Sequence, residues 1–349
     1  MKELKEINGE LCHDLLVKNT KQILAFDENA DYDEWRKKVG EKFRELIGID
    51  EIARNACEPD VEIVKTVKKD GYTQTRFTFL SEKGCRVPCY FLVPDSHKEK
   101  YPLCITLQGH STGFHNSIGE AKDDEDHDYA LTRGQFAVQA VRNGFCALAI
   151  EQRGMSMGEQ APVTPNRKWG WLCEWATMTA LALGRTVIGE RVWDVSRAID
   201  VIEKYFPVAD KDKIMIMGSS GGGTASYYAA CIDERIGYSA PSCAFCPYED
   251  SILLMQHCSC NYIPSQYKYF EMQDLSCLIA PRKLNIIAGE KDDIFLYDGV
   301  LKGYETAKKI YKKAGAEKNV KLTPMPYGHH FCEDIAWKSI KDDTDELGW

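Results

Sequence analysis

No hydrophobic run in the sequence approaches the roughly 18–20 apolar residues that a helix needs to cross a bilayer, so a membrane-spanning role is not expected. Positive charge is not in excess either. Against 44 Lys and Arg stand 53 Asp and Glu, a formal net charge of −9, and this balance draws the chain neither to nucleic acid nor to anionic lipid. The N-terminal stretch MKELKEINGELCHDLLVKN has no apolar centre of the kind that marks a secretory signal, which points to a soluble, cytoplasmic protein. Internal repeats and low-complexity tracts are missing, which argues against a repeat architecture. The acidic run EAKDDEDHD at 120–128 lacks the ligand spacing of a calcium loop and reads as a solvated loop.

Cysteine, by contrast, is plentiful, with 14 in 349 residues. Several lie in apolar strand-like runs, such as Cys104 in LCITL and Cys146 in FCALAI, where a reduced thiol behaves as a small hydrophobe. Without a secretory signal, reduced thiols are expected. Two groups invite a metal reading, Cys243-x-x-Cys246 and His257-Cys258-x-Cys260. Structural zinc usually takes two well-spaced ligand pairs on knuckle-like turns. Neither group supplies them, so core and loop packing is expected and no metal.

The remaining composition, 44% hydrophobic and 28% charged, is that of an ordinary globular protein. Its length suits one large α/β domain with insertions or two modest domains. Residues 1–55 read as a helical extension lying on the body, with Trp35, Val39, Phe43 and Leu46 on one face. Residues 56–349 read as the main domain. There VEIVKTV, YTQTRFTFLSE and CRVPCYFLVP alternate as antiparallel strands do. After 100, short apolar runs (LCITLQG, FCALAIEQRG, KIMIMGSS, KLNIIAGE, VKLTPMPYGHH) each precede a Gly-containing turn. Helical stretches at 129–143, 185–206, 221–231 and 300–315 separate most of them. Buried strands alternating with helices imply a mostly parallel sheet covered on both faces, with its chemistry on the loops at the strands' carboxyl ends.

Those loops hold the residues able to do chemistry. KIMIMGSSGGGTASYYAA contains G-x-S-x-G as Gly218, Ser220 and Gly222, between a strand and a small-residue helix. A nucleophile exposed on a strained turn needs small neighbours, because strand and helix approach closely there. Gly221 then offers its backbone N–H to a developing oxyanion at the helix N-terminus. VKLTPMPYGHHF supplies a base, His329, preferred to His330 because Gly328 frees its turn. KLNIIAGEKDDIF supplies an acid, Asp292, preferred to Asp293. The order Ser220, Asp292, His329 fits this architecture. The loop Gln108-Gly109-His110 after LCITL is placed to give a second oxyanion donor, the backbone N–H of His110 or of Gly109. Trp169, Trp171 and Trp175 are candidate substrate contacts, with helix packing the plainer role. Arg153, Glu190, Arg191 and Asp194 read as an ion-pair network under the site.

Together LQGHSTGFHNSIG, EQRGMSMGE, ALALGRTVIGERVWDVSRAIDVI, MGSSGGG, HCSCNYIP, LIAPRKLNIIAGEKDDIF and GHHF resemble the α/β-hydrolase superfamily, in its acetyl xylan esterase-like and dienelactone hydrolase-like branch. The resemblance covers most of residues 100–332. It implies an α/β-hydrolase fold with a central, mostly parallel sheet of about eight strands. It also implies a nucleophile at Ser220, an acid at Asp292 and a base at His329, with no cofactor. The implied partner is a small-molecule ester, led by an acetyl group on a carbohydrate or other hydroxylated compound.

Overall fold

Apolar runs flanked by turns become nine strands of one sheet in the computed structural model, which describes residues 10–96, 98–111, 113–122, 124–128, 134–155 and 172–349. The first three, β1 (Glu62–Lys69), β2 (Tyr72–Glu82) and β3 (Cys85–Pro94), form an antiparallel meander. Six more follow: β4 (Tyr101–Leu107), β5 (Cys146–Ile150), β6 (Ala209–Ser219), β7 (Ile236–Ser242), β8 (Lys283–Gly289) and β9 (Val320–Met325). The sheet order is β1-β2-β3-β5-β4-β6-β7-β8-β9; β3 joins β5 antiparallel, and the pairs from β5 to β9 are parallel. The count is thus nine rather than about eight. The added member is β7, IGYSAPS, whose small and polar residues make no apolar run. At the sheet's edge, β1 is almost wholly exposed. Its lysines, Lys65, Lys68 and Lys69, sit on an edge where charge discourages pairing with another chain. β5 and β8 are buried at every position, which explains their unbroken apolar runs.

Ten helices are described: α1 (Leu11–Asn19), α2 (Tyr32–Ile47), α3 (Ile49–Ala53), α4 (Asp124–Asp128), α5 (Phe136–Arg142), α6 (Leu172–Ala182), α7 (Val187–Tyr205), α8 (Gly221–Ile232), α9 (Tyr297–Lys313) and α10 (Glu333–Leu347). The expected helix at 129–143 is found as α5, and residues 129–133 lie outside the described ones. α2 begins where the Asp31 carboxylate accepts the Glu34 N–H and ends at Gly48, whose φ of 75° suits glycine. It buries Trp35, Val39, Phe43 and Ile47, while Leu46 is only half-buried. The Phe43 ring lies 5.1 Å from Tyr228 of α8, so this face packs on the helix that follows the candidate nucleophile.

The ion network beneath the site differs in membership from its sequence reading. Arg153 grips Asp194 with two bonds of 2.8 and 2.6 Å, and also reaches Glu82 at 2.6 Å and Glu190 at 3.4 Å. Arg185 bridges Glu190 at 2.9 Å and Glu82. Arg191 bonds the Arg153 carbonyl instead, at 2.9 and 2.7 Å. Glu82 ends an alternating strand, where its carboxylate reads as solvent-facing, yet it is buried. Burial alone would raise its pKa, but Arg185 and Arg153 outweigh that and hold it at about 2, below the ordinary 4.5. A carboxylate depressed in the folded state stabilises the fold above pH 4.5, and that contribution is lost as pH falls toward 2. Glu82→Gln leaves two buried guanidinium groups short of charge and is expected to cost about 3–5 kcal/mol at pH 7. Urea unfolding at pH 7 and at pH 3 checks this, and the gap to wild type should narrow at the lower pH.

Candidate active site

The site grows from the turn between β6 and α8. Ser220 adopts φ 54° and ψ −124°, a backbone state disfavoured for a side chain with Cβ, and its N–H bonds the Ser242 carbonyl at 2.9 Å. Such strain persists only where the surroundings enforce it, and here they do. A Cβ on Gly222 would lie 2.2 Å from the Leu107 carbonyl oxygen, so α8 approaches the end of β4 as only glycine allows. Gly221 is the first residue of α8, where intrahelical bonding leaves the backbone N–H unused.

The candidate acid and base stand on two loops held together. A Cβ on Gly289 would lie 2.3 Å from the Gly328 carbonyl oxygen, and the N–H groups of Glu290 and Lys291 bond Met325 and Tyr327 at 2.8 and 2.9 Å. This contact brings Asp292 to His329, whose Nδ1 lies 2.9 Å from Oδ2. The other oxygen, Oδ1, accepts N–H bonds from Ile294 at 2.8 Å and Phe295 at 3.0 Å. The Phe295 ring stacks on His329 with centroids 5.9 Å apart. Burial would raise the Asp292 pKa; the His329 bond and charge, with the two N–H donors, carry it below the ordinary carboxylate value instead. Asp293 is exposed on the same turn. His330 lies beside His329 with its ring against Tyr327. Ser220 and His329 line one cleft with Gln108, Gly109, Asn116 and Ser117.

The loop after β4 borders that cleft. Gln108 bonds Glu151 at 3.2 Å, and its carbonyl accepts from Gln152 at 2.7 Å, which fixes the loop from below. The His110 imidazole packs on the turn that carries Ser220, since a Cβ on Gly221 would lie 2.7 Å from its Nδ1. Its Nε2 points the other way, 3.3 Å from Cys260 Sγ and 3.7 Å from Cys173 Sγ. Burial would lower this imidazole, but the Cys173 and Cys258 thiols raise it to about 9. Sequence spacing did not foretell this grouping: Cys258 and Cys260 belong to a motif considered for zinc, but its neighbour His257 turns away to Ser251 at 3.1 Å. Cys243 lies beside Asp292 and His329 and is buried, with its thiol pushed up to about 12 by burial. Trp175 is exposed on α6 and is not among the described residues lining the cleft; Trp169 and Trp171 lie outside the described residues. Asp126, in the acidic run expected to be solvated, is instead buried against His115 and accepts the Lys122 N–H at 2.9 Å.

Comparison with known proteins places the chain. The model of a family described as "Abhydrolase family" matches residues 8–238. "Putative hydrolase YtaP" of Bacillus subtilis (strain 168) is 26% identical over 259 residues, covering 73% of this chain and 82% of that protein. Among solved structures, a "putative acetyl xylan esterase" from Bacteroides fragilis NCTC 9343 superposes with a TM-score of 0.76 at 15% identity, over 98% of this chain and 96% of the other. A glucuronoyl esterase from Solibacter usitatus gives 0.64 at 13% identity, covering 93% and 97%. Acetyl xylan esterase 1 from Thermoanaerobacterium sp. JW/SL YS485 gives 0.57 at 16%, covering 94% and 96%. At such identities the likeness to these structures establishes the α/β-hydrolase fold.

Proposed function

Because the chain belongs to the abhydrolase family, we propose that it is a serine hydrolase of carboxylic esters, with Ser220 as nucleophile, His329 as general base and Asp292 as the acid that orients it. The observation that carries this is the 2.9 Å contact between His329 Nδ1 and Asp292 Oδ2, made by an imidazole that shares its cleft with the strained Ser220. A carboxylate at Nδ1 keeps the proton there and leaves Nε2 free to accept one.

His329 takes the Ser220 proton as Oγ attacks the ester carbonyl. The backbone N–H groups of Gly221 and of Gly109 or His110 hold the oxyanion as it forms. The tetrahedral intermediate collapses, the alcohol leaves with the proton from His329, and an acyl-enzyme remains. Water then repeats the sequence and releases the acid. None of these steps calls on a cofactor. The substrate proposed is a small acyl group, acetyl first, on a carbohydrate or other hydroxylated compound; the solved relatives named as acetyl xylan esterases support that choice.

A panel of acetylated sugars, short aryl esters and aminoacyl amides tests the reading, with Ser220→Ala as control. Ester turnover that disappears in the variant is expected. Amide turnover with inert esters would move the same triad to peptide or amide hydrolysis. Inert esters and amides alike would leave a binding protein built on a hydrolase frame.

A further inference from the structure

Four soft or borderline metal ligands converge beside the nucleophile turn from three distant parts of the chain. His110 follows β4, Cys173 lies in the first turn of α6, and Cys258 precedes, while Cys260 lies within, a short 3-10 turn at Ser259–Asn261. One donor atom from each lies within 4.8 Å of the others. Cys258 Sγ is 3.1 Å from Cys173 Sγ, Cys260 Sγ is 3.3 Å from His110 Nε2, and Cys173 Sγ is 3.7 Å from the same nitrogen. Tetrahedral zinc, with Zn–S of about 2.3 Å and Zn–N of about 2.0–2.1 Å, holds its donors about 3.5–3.8 Å apart. The two S–N edges, 3.3 and 3.7 Å, straddle the S–N value of about 3.5 Å, and the 3.1 Å S–S edge lies inside the S–S value of about 3.8 Å, so the sulfurs need to part slightly to admit the ion.

A second observation concerns charge. Arg191 is 1% exposed, and among the described residues no carboxylate forms an ion pair with it. Its Nη2 lies 3.3 Å from Cys173 Sγ, and its Nη1 meets no acceptor among the described residues. A buried guanidinium needs an anion nearby. Among the described residues the neighbouring thiols are the groups that can supply one, and several thiolates side by side need a cation in turn. Three thiolates, one divalent ion and Arg191 sum to zero.

We propose that His110, Cys173, Cys258 and Cys260 form a Cys3His site for a divalent metal ion, zinc by the chemistry of its donors. The ion is bound by the neutral imidazole of His110 through Nε2 and by three thiolates, and every proton held on Nε2 and on the three sulfurs leaves for solvent as it binds. Four protein ligands complete the tetrahedron and leave no open position, which makes this a structural site. It ties the loop after β4, the start of α6 and the 258–260 turn to one point. With Nε2 on the metal, the His110 proton is fixed at Nδ1, the nitrogen facing Gly221. The His110 backbone N–H remains available to an oxyanion.

The full chain, purified under reducing conditions and passed through a desalting column, should carry about one zinc ion per chain by elemental analysis. Growth with cobalt in place of zinc should give thiolate-to-cobalt charge-transfer absorption together with the intense visible bands of a tetrahedral ion. Cys258→Ser and Cys260→Ser are expected to lower metal content at least about tenfold, whereas Cys260→His retains it with shifted cobalt bands. Cys231→Ser, at a buried thiol elsewhere, leaves it unchanged. Wild-type protein without zinc and without cobalt–thiolate absorption overturns the proposal, even if a variant fails to fold. So does a Cys173–Cys258 disulfide found by mass spectrometry, or metal content indifferent to both serine variants. Metal is read without turnover, so failure here leaves the hydrolase reading standing, and the converse holds.

Discussion

Ser220→Ala is expected to lower kcat for a short acyl ester by about a millionfold, some 8 kcal/mol of transition-state stabilisation, while substrate affinity changes little. The loss is large because one atom carries the covalent step. Alanine keeps the Cβ and removes only Oγ, so the acyl-enzyme can no longer form. The residual rate comes from the oxyanion donors and from binding alone. The fold should survive, since the bonds that define the turn are made by the backbone: Ser220 N–H to Ser242, and Thr224 N–H to the Ser220 carbonyl, both at 2.9 Å. An unchanged melting temperature beside the lost activity would separate chemistry from misfolding. A variant that retains more than about a hundredth of wild-type kcat would remove Ser220 from the reaction.

The second large effect is expected at Asp292→Asn, about a 10⁴-fold loss in kcat. Asparagine fills the same space and its oxygen still accepts from Ile294 and Phe295, so the turn stays intact. What changes is the partner of His329. An amide N–H facing Nδ1 makes that nitrogen the acceptor and moves the imidazole proton to Nε2, where it blocks uptake of the serine proton. The wild-type carboxylate, held below its ordinary pKa chiefly by His329, stays ionised through the neutral range. An acid-side fall in activity is therefore expected to report loss of the general base rather than of its carboxylate partner. Steady-state rates across pH test both parts. A flat profile down to pH about 4, with chemistry rate-limiting, would count against a histidine base.

These two residues were legible in the sequence because their constraints are local. The glycines of MGSSGGG make sense only where a strand meets a helix at very short range, and the contact of Gly222 with the end of β4 shows that range. Gly289 and Gly328 flag the meeting of the loops that carry Asp292 and His329 in the same way. Asp292 could be preferred to Asp293 from the sequence, but only burial and the bond to His329 distinguish them. The alternating periods gave the antiparallel-then-parallel order, yet not the exposure of β1 on both faces, because strand period does not reveal which strand becomes an edge.

Contacts made by packing across the chain were not legible. His110, Cys173 and the 258–260 turn are remote in sequence, so no spacing rule joins them. Arg191 reads as one more member of a charged helix, but its rotation on α7 points it at Cys173 while Asp194, three residues on, faces Arg153. Glu82 and Arg185 were missed for the same reason: β2 alternates and the turn before α7 is polar, and only the fold encloses both.

The account stands on Ser220 being the activated nucleophile. Treating the full chain with a fluorophosphonate probe and locating the adduct by peptide mass spectrometry tests this most directly. Stoichiometric labelling of Ser220 is predicted, abolished in Ser220→Ala and strongly slowed in His329→Ala. Wild-type protein that stays unlabelled while hydrolysing esters, or that carries the adduct on another residue, would contradict it.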